Sequence, residues 1–279
     1  MKKTCLKLGI ILVIIAIVIE SILLVKARTY KVQNPIATIQ IEGYDKSIKI
    51  ELDPQSAPNA VANFVKLANS GFYTDFTMSI ESNRILGDTS MQKAKLSNIV
   101  DQPTQDYVYG IKGDFIANGV DNLIKHKKGV ITMERDDYSY FGYTEEGYNS
   151  ANCNFCILTE DIENYDGQYA SFGKVVDGME VLDAIAASRT EVNSNDGSVD
   201  ITDTETASNE NSDENVNGEA TGNDESKENT IKIKSITVDT FGVDYGVPET
   251  VNYEANFEKV NEAYSQIFGG NTTVTPSEE

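Results

Sequence analysis

IKIELDPQSAPNAVANFVKLANSGFY, Ile48 to Tyr73, is the stretch whose reading decides the architecture. Ile48, Ile50 and Leu52 alternate with Lys49 and Glu51, the period-two pattern of a strand with one wet face. Pro58 then opens a helix at its first position, where the missing N–H costs nothing. Val61, Phe64, Val65 and Ala68 follow at helical spacing, and Gly71 closes the helix. Upstream, Ile36 to Ile41 is a second strand signal, joined to the first by a hairpin loop over Gly43 to Ser47. Downstream, strands are predicted over Gly129 to Met133, Cys153 to Thr159, Ala170 to Val175 and Ile231 to Thr240. A second amphipathic helix is predicted over Met179 to Ala187. Many short strands with two or three helices predict a mainly β protein, a closed antiparallel barrel with capping helices.

The flanks read differently. Lys2, Lys3 and Lys7 precede Leu8 to Val25, an apolar stretch that as a helix rises about 27 Å, close to the hydrocarbon thickness of a bilayer. Residues 1–29 are therefore expected to be a transmembrane anchor, with cleavage as a signal peptide near Val25-Lys26-Ala27 as the alternative. Residues 30–188 hold the barrel, and residues 230–250 add its final strand and an extension. Between them, residues 189–229 carry twelve acids against two bases, a net −10 of the chain's −21. That insertion has almost no large apolar residue and is expected to be disordered. Its acids lack the spacing of a Ca²⁺ loop. A surface this acidic repels phosphate backbones, so nucleic acid is excluded as a partner. Within residues 251–279, Asn256 to Phe268 reads as a helix striped by Phe257, Val260, Tyr264 and Ile267, facing either the barrel or a partner.

Three segments go beyond a generic barrel. They are the opening stretch, Lys112 to Met133 (KGDFIANGVDNLIKHKKGVITM) and Asp166 to Ile185 (DGQYASFGKVVDGMEVLDAI). In order and spacing they resemble the cyclophilin family. The resemblance runs from about Ile36 to Ser188 and resumes at Ile231. It implies an eight-stranded closed antiparallel barrel capped by two helices, with a groove on the barrel wall that binds proline-containing polypeptides. It also implies peptidyl-prolyl cis-trans isomerase activity without a cofactor or a metal, in a monomer. Rotation about a peptide bond faces a barrier of about 18–20 kcal/mol because its C–N bond is partly double. In the family, an apolar pocket and an arginine directed at the prolyl nitrogen favour the twisted state.

Measured against that pattern, the groove is rewritten. The family's LTFHRV strand reads FTMSIE from Phe76 to Glu81, which places Ser79 at the histidine and Ile80 at the catalytic arginine. FMIQGGDP shortens to RILGDTS, Arg84 to Ser90, so that Ile85 matches the pocket's aromatic and methionine loosely and Leu86 the glutamine. In SANCNFC, Asn154 takes the place of a glutamine and Cys156 that of the pocket phenylalanine. Asn164 falls on the groove-edge tryptophan and Tyr165 on the neighbouring leucine. Tyr169 stands where bacterial members carry tyrosine, and Arg135 matches a residue whose backbone faces the peptide. Arg84 is the candidate catalytic substitute for the missing arginine, its alternative being a solvent-facing turn residue. Two functions stay open: an isomerase of reduced rate acting on extracytoplasmic proteins, or a proline-peptide binder or chaperone without catalysis.

Other reactive groups point elsewhere. Cys153 and Cys156 form a C-x-x-C on a strand, where residues three apart face opposite ways, against redox or zinc chemistry. Cys5 is incidental. His126, the single histidine, matches a scaffold position. Tyr138, Tyr140, Phe141, Tyr143 and Tyr148 crowd one loop, which either contacts the peptide or packs on itself.

Overall fold

The computed structural model describes residues 13–21, 33–87, 93–189 and 229–268. Ten strands are present among them: β1 (Ile36–Ile41), β2 (Ile48–Leu52), β3 (Phe76–Ile80), β4 (Arg84–Gly87), β5 (Tyr109–Ile111), β6 (Val130–Met133), β7 (Phe155–Leu158), β8 (Ser171–Asp177), β9 (Thr230–Asp239) and β10 (Thr250–Asn252). Eight of them close into an antiparallel barrel in the order β1-β2-β8-β6-β7-β4-β3-β9, and β9 returns to β1. β5 and β10 pair separately as a small antiparallel sheet. From residue 33 onward the α-helices are α1 (Pro58–Asn69), α2 (Thr144–Tyr148), α3 (Met179–Ala187) and α4 (Tyr253–Phe268).

The alternation seen in the sequence sets the barrel's inside. Ile48, Ile50 and Leu52 of β2 and Ala37, Ile39 and Ile41 of β1 are buried in one core, into which α1 inserts Val61 and Phe64, and α3 inserts Leu182 and Ile185. Phe64 lies 5.3 Å from Phe155 and 5.3 Å from Phe172, ring centre to ring centre. Helix α1 starts at Pro58 as expected, but Ala57 offers no side chain to cap it. Its cap comes from a distant segment: the Asp114 carboxylate accepts the Ala60 amide at 2.9 Å and the Asn59 side-chain amide at 3.1 Å. At the other end Gly71 is left-handed, and the Phe72 amide closes the helix on the Leu67 carbonyl at 3.0 Å. Gly178, also left-handed, opens α3 where a Cβ would lie 2.5 Å from the Ser47 carbonyl oxygen, so only glycine fits.

The C-terminal helix starts at Tyr253, three residues before the expected Asn256, because β10 delivers the chain directly into it. It packs on β5 and on the turn at Ser139–Phe141, which answers whether it faces its own domain. Of its predicted stripe, Val260 is buried, whereas Ile267 is 55% exposed. Of the expected membrane span, residues 13–21 are helical and the rest lies outside the described residues. Among the described residues no helix is long and apolar enough to cross a membrane. Cys5, the acidic insertion over 190–228, Asp88 to Ser90 and the tail from 269 also lie outside the described residues.

Candidate functional site

The groove expected from the sequence sorts into two sets by strand register. Ile80 of β3 pairs with Ile85 of β4, so both project to one side of the sheet, and that side is inward. Ile80 is 6% exposed and Ile85 1%, each within the barrel core. The expectation that they line the groove is corrected: the three-residue connection between β3 and β4, Glu81 to Asn83, fixes a register that buries them. The next pair, Ser79 and Leu86, faces outward, and Leu86 in turn opposes Cys156 of β7. On this outer face Val130, Cys156, Leu158 and Ile162 form a second apolar cluster, with Leu86, Ile124 and Tyr165 packed on it.

Arg84 lies at the border of that cluster. It is no solvent-facing turn residue, since only 17% of its side chain is exposed. Its Nε donates to Glu81 Oε2 at 2.6 Å. Its Nη1 donates to Glu134 Oε1 at 3.3 Å and to the Tyr165 hydroxyl. Burial disfavours the guanidinium's charge, but Glu134 and Glu81 outweigh it and Arg84 stays a cation. Burial in turn pushes the Glu134 carboxyl above the usual carboxylate range, with Arg84 pulling the other way. Glu134 leaves β6 just after Met133, and its amide donates to the Asn154 carbonyl at 3.1 Å.

A stacked row runs on from Arg84. The Tyr165 and Tyr169 rings are 4.1 Å apart and 18° from parallel. Arg84 Cζ is 5.7 Å from the Tyr165 ring centre, and Arg135 Cζ is 4.5 Å from that of Tyr169. Arg135 is also held by its Nε on the Gln168 carbonyl at 3.0 Å and lies 5.0 Å from the Tyr148 ring centre. Asn154 borders a cavity of about 100 Å³ together with Leu86, Glu134, Arg135, Lys93 and Asp136. Asn164 is exposed on the turn Glu163–Tyr165. The structure thus brings together Arg84, Leu86, Arg135, Asn154, Cys156, Tyr165 and Tyr169, and separates Ile80 and Ile85 from them.

Sequence reasoning passed over Glu134, Glu81, Lys93 and Asp136. Lys93 Nζ is 3.6 Å from the Tyr253 ring centre and 4.0 Å from Asp136, which accepts the hydroxyls of Tyr138 at 2.6 Å and Tyr253 at 2.8 Å. The one available signal was the charged pair Glu134-Arg135 directly after a buried strand, with nothing to name its partners. The tyrosine loop packs on itself through Tyr140 with Phe141, on α4 through Tyr138 with Tyr253 and Phe141 with Tyr264, and on Phe115 through Tyr148. Tyr140, 74% exposed, is its outward member. Cys153 lies in the main core and Cys156 in the outer cluster, both as free thiols whose ionisation burial pushes upward, Cys153 to about 11. Two thiols on opposite faces cannot form a redox pair.

The family model described as "Cyclophilin type peptidyl-prolyl cis-trans isomerase/CLD" matches residues 36–206, more than half of the chain. The chain belongs to the cyclophilin family. Among its relatives, peptidyl-prolyl cis-trans isomerase A of Dickeya dadantii is 32% identical over 145 residues, covering 52% of this chain and 68% of the relative. A peptidyl-prolyl cis-trans isomerase of Helicobacter pylori is 28% identical over 167 residues, covering 57% and 88%. A Cryptosporidium parvum cyclophilin structure covers 74% of this chain and 98% of its own at 18% identity, with a TM-score of 0.45. In this cyclophilin, then, the outer face of the barrel carries Leu86, Cys156 and Tyr165 side by side. An arginine from β4 enters among them.

Proposed function

We propose that the chain is a peptidyl-prolyl cis-trans isomerase in which Arg84 replaces the family arginine as hydrogen-bond donor to the substrate. The observation that carries this reading is the Arg84 guanidinium, held beside Leu86, Cys156 and Tyr165 by two carboxylates and a phenol. Nε and Nη1 are committed, and among the described residues Nη2 has no acceptor. A prolyl nitrogen gains basicity as its peptide bond twists out of conjugation, so a donor fixed before the substrate arrives favours the twisted state. The substrates are proline-containing polypeptides, and no cofactor takes part. In a protease-coupled assay on proline tetrapeptides, Arg84→Ala should lower kcat/KM about 100-fold, the loss typical of one preorganised donor. Equal rates for the two proteins would discard the assignment.

One observation favours a second reading, a proline-peptide binder or chaperone. Two carboxylates on one guanidinium cancel its charge, and Cys156 offers less apolar surface than the phenylalanine it replaces. A wild-type rate at the uncatalysed background, with measurable peptide binding, would decide for it. We further propose that the protein is a membrane-anchored monomer with its barrel on the extracytoplasmic side. The apolar stretch Leu8 to Val25 and the lysines before it support this placement. Carbonate extraction and protease accessibility of whole cells test it.

A further inference from the structure

We infer that Glu134 is a positioning residue for the isomerisation, fixing the Arg84 guanidinium in the direction from which it meets the substrate. The inference rests on the reading of Arg84 as donor. A free arginine side chain samples many rotamers, and a donor left free to wander stabilises a transition state poorly. The family arginine's position is Ile80, inside the barrel, so Arg84 reaches the outer face from another strand and needs anchors of its own. Glu81 sits three residues away in the same connection with 39% of its side chain exposed, so it moves with Arg84. Tyr165 is uncharged. Glu134 alone of the two carboxylates comes from a distant part of the chain, just past the end of β6, and its side chain is as buried as that of Arg84, 17% exposed each. Its own backbone is fixed by the hydrogen bond that its amide donates to the carbonyl of Asn154, the residue before β7.

A carboxylate buried against an apolar cluster is destabilising unless it is paired. Here one pairing answers the cost of both charges and fixes the direction of the pair. Protonation of Glu134 ends the charge-assisted bond to Nη1. The groups facing Glu134 are Arg84 and Glu81 from the β3–β4 hairpin, Cys156 from β7 and its neighbour Arg135. Tyr165 and Tyr169 face it from the 163–169 turn, while Lys93 and Asp136 share its cavity. Because burial raises the Glu134 pKa, the acid limb of kcat/KM should lie above the pH of an ordinary glutamate, with the rate falling as pH falls through it.

The test is exchange NMR of a proline tetrapeptide, free of coupling protease, from pH 5 to 9 on the full chain in detergent. Wild type, Glu134→Gln, Glu134→Ala and Arg84→Ala are compared, with circular dichroism reporting folding. Wild type should show the acid limb. Glu134→Gln should be flat across it at a level about 3- to 10-fold below the wild-type plateau, and Glu134→Ala lower still, each through kcat rather than KM. If Arg84→Ala is slow while both Glu134 variants keep wild-type rate and pH profile, the positioning role falls and the Arg84 assignment stands. If Arg84→Ala keeps the wild-type rate, the assignment falls and the positioning role with it. An acid limb that persists in Glu134→Gln belongs to another group, such as His126, whose ring centre is 5.6 Å from that of Tyr165, and overturns the inference even if Glu134→Ala fails to fold.

Discussion

His126 was legible as a scaffold residue, and its surroundings say how it serves the scaffold. Its side chain is fully buried, with Nδ1 3.1 Å from Asp166 Oδ1 and Nε2 2.9 Å from the Ser171 hydroxyl. Burial holds its pKa below 6.5, against the opposing pull of Asp166. The unfolded chain therefore binds a proton that the folded chain refuses. Stability from the neutral ring is full above about pH 6.5 and is lost as pH falls below it, at no more than about 1.4 kcal/mol per pH unit. Asp166, held low by the His126 amide and Lys125 in spite of burial, gives up its own contribution only at lower pH. Between pH 7.5 and 5.5 the wild-type Tm should fall more steeply than that of His126→Asn. Parallel slopes in a thermal-shift series would contradict this. For the groove residues, the sequence named Arg84, Arg135, Tyr165 and Tyr169 as separate candidates. That they form one stacked row depends on side-chain directions no motif contains.

At the level of strands and helices, local pattern was nearly sufficient. Alternation located β2, strand-like runs located β1, β8 and β9, and Pro58 and Gly71 bounded α1 to the residue at its start. The β3–β4 hairpin was harder. Its strands are joined by Glu81 to Asn83, and the length of such a loop decides which residues face inward. Ile80 opposite Ile85 inside the barrel is the consequence. Restoring the family arginine by Ile80→Arg should therefore bring no gain in rate. It should destabilise the fold by about 3–5 kcal/mol, the cost of a buried unpaired charge, in urea denaturation. A catalytic gain with unchanged stability would show that the side chain at position 80 can reach the groove. Helix α4 gave the reverse case: its apolar stripe was visible, but its partners, β5 and the Ser139–Phe141 turn, were not. Those partners lie more than a hundred residues back along the chain.

For the molecule as a whole, the long apolar stretch and the acidic insertion set the chain apart from a bare barrel. With the anchor in place, the full chain should stay in the pellet after carbonate extraction, and external protease should digest the barrel in intact cells. Release by carbonate would remove the tether, and protection from protease would reverse the orientation. By itself the sequence determined the closed barrel and the family. Those features follow from residue periodicity, from proline and glycine at fixed places, and from motifs read along the chain. The tertiary structure alone decided that Arg84 meets Glu134 and Tyr165, 50 and 81 residues away, and that Asp114 caps α1. Such pairings depend on strand register and on which face of the sheet a side chain occupies. Register is fixed only when all eight strands close on one another, because a slip of one residue would turn every side chain of a strand to the other face.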